Sequence, residues 1–290
     1  MTQIITNYPE TPTSASTSSS KEFADFWQET MAMTKRLFIQ LRRRPSTLIA
    51  GIIQPFMWLL LFGALFEKMP RGLFGGDLDY AKFLAPGIII FTAFSAALNA
   101  GLPVMFDREF GFLNRLLVAP LSSRYSIVAS STLYIIVLTF IQTAVIVLSS
   151  SLFGADLPGL LGLSMIAIIV LLIVLGVTAL SLGLAFALPG HIELIALIFV
   201  VNLPLLFAST ALAPITFMAD WLKVLVLFNP LTYAIEPIRY IYAHQQWNLF
   251  DNVLQTPWLS LNFLIVMAIL LAFDLLILFA IQPLLRRRLA

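Results

Sequence analysis

Residues 156–193 read DLPGLLGLSMIAIIVLLIVLGVTALSLGLAFALPGHIE, with no charged side chain between Asp156 and Glu193. A helix needs about 20 mostly apolar residues to cross the hydrocarbon core of a bilayer. The run exceeds that length, and the break at Pro189-Gly190-His191 divides it, because proline cannot continue a helical hydrogen-bond ladder. Two spans are therefore expected, at about 159–187 and 192–214. Working outward, similar stretches at about 46–66, 83–106 and 125–153 precede them, and one at about 258–283 follows. The flanks are polar: Arg42-Arg43-Arg44 and Glu67 bound the first, Lys82 and Asp107 the second, and Arg286-Arg287-Arg288 follow the last. The expected fold is an all-α integral membrane protein with six transmembrane helices, its transmembrane domain covering 45–290.

Composition agrees. Of 290 residues, 60% are hydrophobic and 11% charged, with a mean hydropathy of +0.94. Soluble domains carry about 25% charged residues, so a soluble enzyme, a disordered regulator and a nucleic-acid binder are excluded. A net charge of +2 calls for no polyanionic partner, and zero cysteines exclude disulfides and thiolate chemistry. Basic residues collect on the cytoplasmic side of membrane proteins. Six spans put twelve Lys and Arg residues on the side of the termini and five (Lys68, Arg71, Lys82, Lys223, Arg239) on the other. Both termini are thus expected in the cytoplasm, in a bacterial plasma (inner) membrane or a thylakoid or plastid membrane.

Residues 1–20 are rich in Ser, Thr and Pro without an apolar core, which predicts a disordered tail rather than a secretory signal. Over 21–44, Phe23, Trp27, Met31, Thr34, Phe38 and Leu41 recur at helical spacing, with Asp25, Glu29, Arg36 and Arg43 on another face. This pattern predicts an amphipathic helix at the membrane interface, its lipid contacts serving at least as an anchor. A second helix is expected over about 107–120, started by Asp107 and Glu109 and ended by Pro120. Its Phe112, Leu113, Leu116 and Leu117 form an apolar stripe beside Arg115, suited either to lipid or to a groove on a partner. On the opposite side, residues 215–257 are too many for a structureless loop. Two short helices around Asn229-Pro230 are expected there as a re-entrant or interfacial hairpin over about 216–243, with Glu236 and Arg239 spaced to pair. Tyr233, Tyr240, Tyr242 and Trp247 would suit headgroups.

Two blocks carry a family resemblance: Asp107-Arg108-Glu109…Leu116-Leu117-Val118-Ala119-Pro120-Leu121-Ser122, and Phe228-Asn229-Pro230-Leu231-Thr232-Tyr233…Glu236-Pro237…Arg239. With the order of parts around them, the chain resembles the membrane subunit of an ABC exporter of the ABC-2 (type V) group. Within it, the likeness is to daunorubicin-resistance and nodulation-factor exporter permeases and their cyanobacterial and plastid relatives. Met218-Ala219-Asp220-Trp221 departs from the proline that many members place before the Trp. The resemblance implies that 107–120 is a coupling helix seated in a separate ATPase, with Asp107, Arg108, Glu109, Phe112, Leu113, Arg115, Leu116 and Leu117 as its coupling residues. It implies that the helix 22–43 also touches that ATPase, and that the outer hairpin, with Asn229, Pro230, Glu236 and Arg239, shields the exit of the path. It further implies a homodimer of permeases with two ATPase copies, which carry the ATP and Mg. A nucleotide-binding loop needs a Lys after a Gly. None of the five lysines (21, 35, 68, 82, 223) follows one, so this chain is expected to hold no cofactor and to hydrolyse nothing.

Asp274 is the one formally charged residue deep within a span, at an insertion cost of roughly 2.5–3.5 kcal/mol. It is a candidate for the path or the dimer interface, or else a protonated packing residue. Asn99, Gln142 and Asn202 are candidates for the same surfaces or for bonding between helices. His191 and His244 fall on opposite sides, so no metal site is expected. The leading function is export of an amphipathic substrate such as a lipid, glycolipid or hydrophobic drug. A polysaccharide exporter permease is an alternative within the class. A secondary transporter would show repeats and several buried ionisable groups. An intramembrane enzyme would need a nucleophile–base or metal constellation, and a membrane scaffold without transport remains as a fourth class.

Overall fold

A computed structural model of the chain describes residues 19–66, 80–118, 121–152, 154–244, 246–255 and 260–289. Residues 1–18 of the tail expected over 1–20, together with Lys68, Arg71 and Pro120, lie outside the described residues, and Ser19 and Ser20 belong to the first helix. In chain order the elements are α1 (Ser19–Arg43), α2 (Ser46–Leu65), α3 (Tyr80–Leu98), α4 (Gly101–Glu109), α5 (Phe112–Val118), α6 (Tyr125–Leu152), α7 (Leu160–Ala187) and α8 (His191–Phe207). A 3₁₀ turn (Ile215–Phe217), α9 (Asp220–Phe228), α10 (Pro230–Ala243), β1 (Asn252–Gln255), β2 (Ser260–Asn262) and α11 (Phe263–Leu289) follow. Among the described residues, five helices are long and apolar enough to cross a membrane: α2, α3 with α4, α6, α7 and α11. The chain is a helical, multi-pass membrane protein. α8, with 17 residues, reaches about 26 Å at 1.5 Å per residue.

α7 is the axis of the bundle, packed by α3, α4, α6, α10 and α11. Small residues let it do so. A Cβ at Gly176 would come within 2.0 Å of Asp274 Oδ1, and one at Gly183 within 2.9 Å of the Ile281 side chain. Both pairs step by seven residues along α7 and α11, the repeat of a close helical seam. Ser181, on α7, sits in the break between α3 and α4. Its hydroxyl donates to the Leu98 carbonyl at 2.6 Å and accepts from the Gly101 N–H at 2.9 Å. Pro103 adds to the break, since it has no N–H to offer the Asn99 carbonyl. The expected continuous helix over 83–106 is thus two helices meeting at Asn99-Ala100.

Other boundaries differ for equally local reasons. The helix expected to reach 214 stops at Phe207, because the Asn229 amide takes the carbonyls of Leu205 and Ala208 at 2.7 and 2.6 Å. The last helix starts at Phe263 rather than 258, after a two-stranded antiparallel ladder that the sequence reading lacks. It also runs through Pro283 to Leu289. Asp107 and Glu109 fall in the last turn of α4, not at the start of a helix. The chain then turns at Gly111, whose φ of +75° favours glycine, and α5 begins beyond it.

Candidate functional site

At the end of the bundle that carries α1 and α5, three consecutive charged residues each hold a different element. Asp107 is ion-paired to Arg36 of α1. Arg108 donates to the carbonyls of Ala185, Leu188 and Pro189, at 2.8, 2.6 and 2.6 Å. Glu109 accepts from the His191 backbone N–H at 2.6 Å and meets the His191 ring at 2.5 Å. The signs fit the helix dipoles: a cation sits at the carbonyl end of α7 and an anion at the N–H end of α8. The His191 backbone N–H, with further help from its ring, holds the Glu109 carboxyl below its usual pKa.

α1 is fastened twice more. The Arg36 guanidinium lies 4.1 Å over the Phe112 ring, and Glu29 accepts from the Ser122 N–H at 2.7 Å. Its apolar arc is wide enough to serve two surfaces. Thr30, Thr34 and Leu37 are buried, Phe38 meets Tyr134 of α6 edge-on at 5.2 Å, and Phe23 and Trp27 stay exposed. The protein-facing stripe is therefore rotated from the one read in the sequence. A cavity of about 20 Å³ lies between α1, α4, α5 and α6, lined by Arg36, Asp107, Leu113, Leu116, Ser130 and Ser131 among others, room for about one water.

The apolar stripe of α5 turns toward the bundle. Leu113 is buried in a cluster with Val104, Ile127, Leu182 and Phe186, and Leu116 and Leu117 pack against it. The exposed side chains are Phe110 (79%), Asn114, Arg115 and Val118 (86%). So the residues singled out from sequence divide: Asp107, Arg108, Glu109, Phe112 and Leu113 secure the segment, and Arg115 faces outward. Arg36 was missed as a member of this site. The signal for the Arg108 and Glu109 partners was present, since the topology places Asp107–Glu109 and the Pro189–His191 break on one membrane side.

At the opposite end, α10 is buried within the bundle along most of its length. Leu231, Ile235, Ile238 and Tyr242 lie in the core, which removes Tyr242 from the headgroup set, while Trp247 stacks on Phe263 at 5.3 Å. Asn229 accepts from the Leu231 N–H at 3.0 Å while its amide ends α8, so one side chain joins two helices, and Pro230 follows as the first residue of α10. Arg239 is ion-paired to Glu236 and donates to the carbonyls of Thr210 and Phe83 at 2.5 and 3.3 Å. It also lies 3.8 Å over the Phe83 ring.

Of the four polar candidates within the spans, only Asn99 and Asn202 share a neighbour, Ser95. Asn99, at the break after α3, is exposed and donates to the Ser95 carbonyl of α3 at 2.7 Å, while Asn202 accepts from the Ser95 hydroxyl at 3.2 Å. Gln142 is buried against Gly51 of α2, and Asp274 against Gly176 of α7. Among the described residues, neither Gln142 Oε1 nor Asp274 Oδ2 has a hydrogen-bond partner.

Residues 28–243 match the family described as ABC-2 type transporter. The chain is 52% identical over 258 residues to "Putative transport permease ycf38" of Cyanophora paradoxa, covering 89% of each. It is 27% identical over 198 residues to "Probable multidrug ABC transporter permease YbhR" of Escherichia coli K12, covering 67% of this chain and 51% of the relative. To "Probable doxorubicin resistance ABC transporter permease protein DrrC" of Mycobacterium tuberculosis it is 25% identical over 219 residues, covering 74% and 76%.

Proposed function

The chain belongs to the ABC-2 type transporter family, and from that premise we propose that it is the permease subunit of an ATP-driven exporter. It works as a homodimer with two copies of a separate ATPase, on which ATP and Mg are bound. The substrate is amphipathic: a lipid, a glycolipid or a hydrophobic drug. One relative is named as a multidrug transporter permease and another for doxorubicin resistance, which favours such cargo over a polysaccharide. α8, with the turns that follow it, makes the sixth crossing. An even number of crossings keeps Arg286 on the same side as Arg42, Arg43 and Arg44, as the distribution of basic residues favours. That side is the cytoplasm, and the membrane is a bacterial inner membrane or its thylakoid or plastid counterpart.

The observation that carries this reading is the Asp107-Arg108-Glu109 triplet. It joins α4, and through it α5, to α1, α7 and α8 at once. A push on the exposed face of Phe110, Asn114, Arg115 and Val118 would therefore reach four helices of the bundle. ATP-driven closure of the partner subunits supplies that push, and the helices rock around the path. The outer turn at α9 and α10, held by Asn229 and Arg239, stays fixed as the helices below it move.

The test is co-purification with the ATP-binding subunit. Phe110→Asp with Arg115→Glu alters only exposed side chains, so the variant should fold as wild type and lose the partner and its transport-stimulated ATP hydrolysis. Undiminished association in that variant would remove the coupling role from this segment.

A further inference from the structure

Between Glu29 and Glu67 the sequence has no acidic residue, yet it carries Lys35, Arg36, Arg42, Arg43 and Arg44. Arg36 is used within the chain, by Asp107 and the Phe112 ring. The other four are exposed, and none has a hydrogen-bond or ion-pair partner for its side chain among the described residues. Their treatment differs from that of Arg108 and Arg239, whose guanidiniums are filled by carbonyls and a carboxylate. Like charges this close repel one another, so a counter-charge is expected from outside the chain.

Geometry says where that counter-charge lies. α2 has 20 residues, which at 1.5 Å each span about 30 Å, the full hydrocarbon thickness with nothing to spare. Ser46 therefore stands at the edge of the hydrocarbon, and Arg42, Arg43 and Arg44 lie at the depth of the lipid phosphates. α2 buries only Pro55 and Leu59 against the rest of the chain, so lipid can approach this corner. Guanidinium groups bind phosphate through paired N–H donors, and basic clusters next to a membrane span attract anionic lipid.

We propose that Lys35, Arg42, Arg43 and Arg44, at the corner between α1 and α2, form a binding site for anionic phospholipid headgroups. The site couples bilayer charge to the position of α1, which Arg36 and Glu29 tie to the α4–α5 segment. The inference needs α2 to span the membrane and does not depend on an ATPase partner.

The test uses the full-length chain purified in neutral detergent, titrated with short-chain phosphatidylglycerol or phosphatidylcholine while thermal unfolding is followed. Phosphatidylglycerol should bind more tightly. Its advantage should shrink as NaCl rises from about 0.1 to about 1 M, where the screening length falls from about 10 Å to about 3 Å; this arm needs no variant. Arg42→Gln with Arg43→Gln should weaken phosphatidylglycerol binding by about fivefold per charge, or about 25-fold, while the paired Lys substitutions keep most of it. Equal response to the two lipids, or an unchanged affinity in the Gln variant, would overturn the site. Competition by inorganic phosphate at a comparable concentration would show a free-anion site instead. A Gln variant that binds phosphatidylglycerol normally but loses a co-expressed ATP-binding subunit would assign the cluster to that protein and overturn the lipid reading.

Discussion

The two ends of the bundle are held by the same device, a polar side chain reaching from one helix to finish another, but at different depths. At the α5 end the ties of Asp107 and Glu109 are about a quarter exposed. At the α10 end Asn229 and Arg239 are buried at 3% and 7% exposure. Ion pairs near water contribute about 0–1 kcal/mol, because solvent competes for both charges. Breaking a buried pair costs several times more, because one charge is left without water or partner. The α5 end can therefore be opened and remade cheaply, while the α10 end resists. Under the proposed function, that difference would divide the labour between an end that is moved and an end that holds.

The sharpest way to break the comparison is Arg239→Ala. It strands Glu236 and leaves the Phe83 and Thr210 carbonyls without their donor, so unfolding in detergent should lose about 3–5 kcal/mol. A loss under about 1 kcal/mol would mean that both ends are held equally loosely. Asn229→Ala comes next. It frees the carbonyls of Leu205 and Ala208 and removes the cap on Leu231 N–H, for about 1–2 kcal/mol. Hydrogen exchange should then rise at both the end of α8 and the start of α10; a rise at one alone would reduce Asn229 to an ordinary cap.

What was legible in the sequence followed from periodicity and punctuation. The uncharged run over 156–193 and its Pro-Gly break lead directly to α7 and α8, because apolar length and a missing N–H act locally. The Glu236–Arg239 pair was readable for the same reason, being three apart on one helix. The break between α3 and α4 was not, since a helix that reads as continuous is opened by Ser181 from 80 residues away. Nor was the burial of Leu113: an apolar stripe states that a face wants cover, not which helix supplies it. The Asp107 and Glu109 carboxylates illustrate the limit best. Acid near a helix N-terminus was the correct physics for Glu109, but the terminus belongs to α8 rather than to its own helix.

That same carboxylate yields the smallest expected effect and the finest probe of the looser end. The His191 backbone N–H holds Glu109 below its usual pKa, so the folded form keeps its charge to lower pH than an unfolded chain would. The contribution is fully present above the usual carboxylate range and is lost as pH falls through the lowered folded value. Exchange of the amide at His191 and over the first turn of α8 should thus be insensitive to this group from pH 8 to about 5, once corrected for intrinsic rates. It should accelerate only under more acidic conditions. Glu109→Gln should remove that acid step, leave global stability nearly unchanged, and raise exchange there at neutral pH. An acid step that persists in the Gln variant would place the switch on another group. A large global loss would show that the α5 end is as firmly built as the α10 end, and the division of labour between them would fall.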